Sequence, residues 1–100
     1  MYIAMNRFRI TLGKEADFIE VWKNRETFLD TVSGFKSFNL LQSDSDDECT
    51  LFASHSIWET KADFEAWTKS DAFKKAHSGA KPSSGLYLGH PKFEGFESVI

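Results

Sequence analysis

From Tyr2 to Leu12 apolar side chains recur at every second position (Tyr2, Ala4, Phe8, Ile10, Leu12). That is the period of a strand, and Gly13 ends the run. The period then changes. Between Ala16 and Val32, the residues Phe18, Val21, Trp22, Phe28, Leu29 and Val32 fall near one face of a helix, while Glu20, Lys23, Asn24 and Glu26 fill the other. Ser33-Gly34 reads as its stop, with glycine just past the last apolar residue. Phe35–Gln42 and Thr50–Trp58 predict a second and a third strand, joined as a hairpin by the acidic stretch Ser43–Glu48. Thr60 followed by Asp63 has the form of a capping box for a short helix that reaches Thr68. Ser70-Asp71 can cap another short helix, Ala72–His77, closed by Ser78-Gly79. Gly79–Gly85 reads as a loop and Lys92–Val99 as a last strand.

The order is β-α-β-β-α-β, with the second helical segment in two pieces. It predicts an α+β fold of the ferredoxin-like kind, in a single domain spanning residues 1–100. One antiparallel sheet would carry helices on one face. Phe38, Leu40, Phe52, Trp58 and Phe96 are assigned to the other, bare face. An apolar face without cover calls for a partner, and a two-fold homodimer whose sheets close on each other supplies one.

Composition narrows the function. The chain is 41% hydrophobic and 27% charged, so disorder and low complexity are excluded. A net charge of −3 gives no basic surplus for nucleic acid or an anionic membrane. The first residues hold no basic stretch leading into an apolar run, so no signal peptide is expected. No run of about 18 apolar residues is present to span a membrane. One cysteine, Cys49, cannot form an internal disulfide, which fits a reducing cytoplasm. Aromatic residues reach 15%, ten of them Phe and three Trp, enough for an aromatic core, a flat ligand or a partner subunit.

Three residues could carry chemistry. Strand alternation places Asn6 on the face of Ala4, Phe8 and Ile10, where an amide either bonds nearby backbone or points into a ligand pocket. His77 ends a short helix one turn after Phe73. It can contact the last carbonyls, or ligate a metal that brings most of its own ligands, as in haem. No second ligand stands near it at zinc spacing. Trp67, one turn after Phe64, is either core or a cofactor contact. His55 and His90 read as structural, and the acidic run before Cys49 would raise a thiol's pKa. No phosphate loop or nucleophilic triad is visible.

Asn6-Arg7, the Ser33-Gly34-Phe35 turn and the string Trp67-Thr-Lys-Ser70-Asp-Ala-Phe73-Lys-Lys-Ala-His77 resemble the IsdG-type haem-degrading monooxygenases. These belong to the antibiotic biosynthesis monooxygenase superfamily of dimeric α/β barrels. The resemblance covers nearly the whole chain, and the trio of Asn, Trp and His is its discriminating part. It implies that His77 ligates haem iron, that Asn6 lies opposite near the oxygen ligand, and that Trp67 packs on the porphyrin and distorts it. It implies haem as both substrate and cofactor, dioxygen, and an external electron donor, either a reductase or a small reductant. The implied products are iron and a linear tetrapyrrole, in a cytoplasmic homodimer with no nucleic-acid or membrane partner. Two other readings stay open at this stage. One is a cofactor-free quinol or anthrone monooxygenase of the same superfamily, and the other a non-enzymatic haem-binding barrel.

Overall fold

The computed structural model describes residues 1–25, 28–78 and 85–100, and for residues 75–78 the backbone alone. Strands β1 (Tyr2–Thr11), β2 (Phe35–Ser45), β3 (Cys49–Trp58) and β4 (Lys92–Glu97) form one antiparallel sheet in the order β2-β3-β1-β4. Helices α1 (Glu15–Lys23), α2 (Lys61–Thr68) and α3 (Asp71–Ser78) connect them. This is the α+β, ferredoxin-like succession that the periodicity predicts, and the sheet is open. β2 and β3 form the expected hairpin. The Asp46 carboxylate holds its turn, accepting from the N–H groups of Glu48 at 2.7 Å and Cys49 at 2.8 Å.

The helical spacing from Ala16 to Val32 is carried by two pieces instead of one helix. α1 ends at Lys23, and a single 3-10 turn, Leu29–Thr31, follows Phe28, whose φ of 58° is left-handed. Glu26 and Thr27 lie outside the described residues. Leu29 is buried all the same. The apolar period therefore outlasts the helix, because it reports which side chains face the core and not whether backbone hydrogen bonds run unbroken. At the end of this segment Gly34 has φ 84°, and a Cβ there would collide with the Asp63 carboxylate in the first turn of α2. Asp63 is itself held by the cap. Thr60 Oγ1 accepts from Asp63 N–H at 3.1 Å and donates to Asp63 Oδ2 at 2.9 Å.

The register decides which strand residues face the helices, since residues paired across antiparallel strands share a face. Tyr2 pairs with Trp58, and Phe8 with Phe52. Phe52 and Trp58 therefore lie under the helices, 1% and 0% exposed. Phe38 and Leu40 pair with Ser56 and Ser54 and face the same way. Their assignment to the bare face is corrected. β2 is irregular at Phe35/Ser37 and at Gln42/Ser45, and β3 is apolar on both faces, so alternation alone does not say which face is which. Phe96, opposite Ile3, does stand on the bare face. That face is apolar through other residues: Ile3 and Met5 of β1, Leu41 of β2, and Leu51, Ala53 and Ile57 of β3. Phe96 and Leu41 remain 47% and 43% exposed, and no helix among the described residues covers them. The Arg7–Glu94 ion pair lies on the same side.

The covered face carries two apolar clusters. One gathers Phe8, Ile10, Phe18, Phe52 and Leu86; the other gathers Tyr2, Ala4, Leu29 and Trp58. Each large side chain buried this way contributes about 1.5–3 kcal/mol. Trp22, packed on the first cluster, stacks on Phe38 of the second with centroids 5.5 Å apart and planes at 26°. A polar tie fixes the start of α1. Fully buried Thr50 donates to Glu15 Oε1 at 2.7 Å, so its 2.6 Å contact with Ser45 is donated by Ser45 Oγ. The Thr50 hydroxyl, with backbone N–H groups behind it, holds the Glu15 carboxyl below its ordinary pKa. No helix among the described residues is long and apolar enough to cross a membrane.

Candidate active site

Between α1, α2, α3 and the sheet lies a partly enclosed cavity of about 360 Å³. Its walls are six aromatic side chains: Trp22, Phe38, Phe64, Trp67, Phe73 and Phe93. Each has a reason to be there. Phe64 and Trp67 are one turn apart on α2, with ring centroids at 6.1 Å. Phe93 of β4 stacks on Phe64 at 5.6 Å, almost parallel at 6°. Trp67 leans on Trp58 at 5.4 Å, and Phe73 meets its edge at 4.8 Å and 87°. Ser70 ties these last two together. Its hydroxyl accepts from Phe73 N–H at 3.2 Å and donates to the Trp67 carbonyl at 2.6 Å. The serine of the Trp-x-x-Ser-x-x-Phe string thus joins α2 to α3 and sets both rings.

The sheet supplies the floor. Across it Leu40, Ser54, Asn6 and Phe93 stand in one row on β2, β3, β1 and β4. Ser54, Asn6 and Phe93 of that row line the cavity. Polar side chains around the space divide into two kinds. Ser56 Oγ accepts from Trp58 Nε1 at 2.9 Å and donates to the Ala4 carbonyl at 3.4 Å, and Thr68 Oγ1 donates to the Glu65 carbonyl at 2.7 Å. The Asn6 amide and the Ser54 hydroxyl have no hydrogen-bond partner among the described residues. Arg25 completes the rim, its guanidinium carbon 4.4 Å from the Trp22 ring centroid. Trp22 Nε1 is buried, again without a partner among the described residues.

The antibiotic biosynthesis monooxygenase family profile matches residues 1–79. The chain belongs to this family. Over 87 residues it is 34% identical to the heme oxygenase (staphylobilin-producing) of Staphylococcus haemolyticus, a match covering 84% of this chain and 80% of that protein. Over 62 residues it is 39% identical to the heme-degrading monooxygenase of Shouchella clausii, covering 62% of this chain but only 58% of that protein. Among solved structures, the fold is similar to MhuD, a heme-degrader from Mycobacterium tuberculosis with two hemes bound in its active site. The TM-score is 0.75 at 23% identity, over 100% of this chain and 97% of that one. The likeness to the IsdG-type branch of the family, read from the motif, is borne out by these relatives.

Of the residues singled out in the sequence, the fold brings Asn6 and Trp67 into one cavity of this family member. Trp67 both packs on the second cluster and lines the space, so core and contact are not exclusive. His77 lies in the last turn of α3, and its side chain is outside the described residues. His55 is on the bare face, paired with Met5, and His90 is exposed ahead of β4. Sequence reasoning missed Trp22, Arg25, Phe38, Ser54 and Phe93 as lining residues. For Ser54 a signal existed. In β3 the covered face reads Thr50, Phe52, Ser54, Ser56, Trp58 once register is counted from Trp58, and two serines between buried aromatics mark a change of purpose. For Arg25, just past the end of α1, none did.

Proposed function

We propose that the cavity binds haem and that the chain degrades it as a monooxygenase, using dioxygen and an external electron donor. The observation that carries this reading is the aromatic slot itself, floored by an Asn6 amide that no described residue satisfies. The names of the relatives support it. The residues fit a porphyrin. Six rings suit a flat apolar body, and Arg25 at the rim suits its carboxylates. When bound, haem would supply the iron that activates dioxygen and the carbon skeleton that is oxidised.

The chain's own residues have separable parts in this reading. Trp67 presses on one face of the ligand and cannot yield, being backed by Trp58 and flanked by Phe73. Asn6 offers an amide N–H toward a small ligand held over β1. The aromatic walls exclude water, which strengthens that hydrogen bond. His77 is the nitrogen donor to iron. The bare face around Ile3 and Phe96 closes on a second copy as a dimeric barrel. A reducing cytoplasm suits the single buried thiol of Cys49.

Titration with haemin followed by ascorbate tests the reading. The expected result is a shifted Soret band on binding and its decay on reduction in air. A band that persists would mean a haem-binding protein without the activity. No band at all would remove haem and leave the cofactor-free monooxygenases of the family as the nearer comparison.

A further inference from the structure

Ser54 is 8% exposed, lines the cavity, and has no hydrogen-bond partner among the described residues. Its oxygen is not fully buried, so the hydroxyl opens on the cavity and is available to a group seated there. Its neighbours sharpen the point. Ser56, two residues on and on the same face, is fully engaged by Trp58 and Ala4, so the position itself does not forbid a partner. Asn6 is directly opposite Ser54 in the β1–β3 ladder. Cβ atoms of such a pair are about 4.5–5.5 Å apart, close enough for both side chains to reach one small group. Leu40 and Phe93 flank the pair at the two ends of the row, so its polarity is confined to a notch two residues wide.

We propose that Ser54 is a second ligand-contacting residue, which with Asn6 forms a two-point hydrogen-bonding notch for a small polar or anionic group held at the centre of the flat ligand. The proposal rests on the haem reading and deepens it: Ser54 and Asn6 would hold a small ligand exchanged at the haem iron. The amide brings two donors and an acceptor, and the hydroxyl one donor that turns freely. Together they can donate to one atom from two directions, whereas Asn6 alone would leave that atom's position loose.

The test uses the haemin-loaded protein and sodium azide, read by the Soret shift, in the parent, Ser54→Ala and Ser54→Thr. Ser54→Ala should bind haemin within about twofold of the parent and bind azide at least about tenfold more weakly, the size of one lost hydrogen bond to a charged ligand. Ser54→Thr, which keeps the hydroxyl, should restore the azide affinity. Ligand-free Ser54→Ala should melt at the parent temperature, because the hydroxyl makes no bond to a described residue that the fold would lose. An azide affinity equal to the parent's, or a loss that Ser54→Thr does not restore, overturns the proposal while leaving haem binding intact. A lower melting temperature for ligand-free Ser54→Ala overturns it too, since the hydroxyl would then be serving the fold. Failure of the parent to bind haemin overturns the haem reading, and Ser54's part falls with it.

Discussion

Trp67 and Trp58 are in tilted ring contact, centroids 5.4 Å apart and planes at 33°, so the wall of the cavity rests directly on a fully buried core residue. A ligand pushed against Trp67 meets a surface that does not give. Trp67→Phe keeps a flat apolar wall and should hold haemin within about twofold of the parent. The smaller ring presses less, and loss of fit of about 1 Å can cost ~100-fold in rate. Ascorbate-driven Soret decay should therefore slow by about tenfold or more. A parental rate would mean that Trp67 serves packing alone.

Asn6→Ala separates a site residue from a structural one. The amide has no partner among the described residues, so its loss should not lower the melting temperature. A donor aimed at developing charge in a dry pocket is worth roughly 2.7–4 kcal/mol in other enzymes, so haem turnover should fall ~100-fold or more with binding nearly unchanged. Normal turnover per folded molecule in a destabilised variant would take Asn6 out of the site.

His77→Ala should weaken haemin binding by tenfold or more, at least about 1.4 kcal/mol. His55→Ala and His90→Ala, one on the bare face and the other exposed before β4, should titrate like the parent. Equal curves for all three would exclude His77 as the ligand. Acid should release haem from the parent, because a protonated imidazole cannot bind iron.

These expectations rest on residues that differ in how well the sequence reveals them. The element order, the caps at Thr60 and Ser70, and the face of Asn6 were legible because each depends on neighbours within a few positions. Face assignment in β2 and β3 was not. Phe52 and Trp58 are placed by pairing with Phe8 and Tyr2, more than 40 positions away in the chain, as the register shows. Trp22 and Phe38 build a cavity wall only because the fold stacks a ring of α1 on a ring of β2, which no local period encodes.

The bare sheet face predicts association. Light scattering at micromolar concentration should give about twice the 11.4 kDa chain mass. Phe96→Glu puts a charge beside Ile3 on that face and should shift the mass toward one chain. A parent that scatters as a single chain would leave the face around Ile3, Leu41 and Phe96 unexplained.

Glu15 gives the fold an acid limb. Its carboxyl is held below the ordinary value near 4.5, first by the Thr50 hydroxyl and then by backbone N–H groups. A lowered folded pKa means stability that is present above the unfolded value and lost as pH falls through the folded one. Glu15→Gln should therefore melt below the parent at neutral pH, and the gap should close as pH drops below the carboxylate range. A gap of constant size at every pH would show that Glu15 acts through its shape and not its charge.

The row Leu40, Ser54, Asn6, Phe93 also marks a seam. On one side stands the cluster of Phe8 and Phe18, on the other that of Tyr2 and Trp58, and above the helix-side surface Trp22 stacked on Phe38 bridges them. The covered face thus carries two half-cores on a common sheet. A flat molecule seated over the seam would touch both half-cores, and stability would then rise with its concentration.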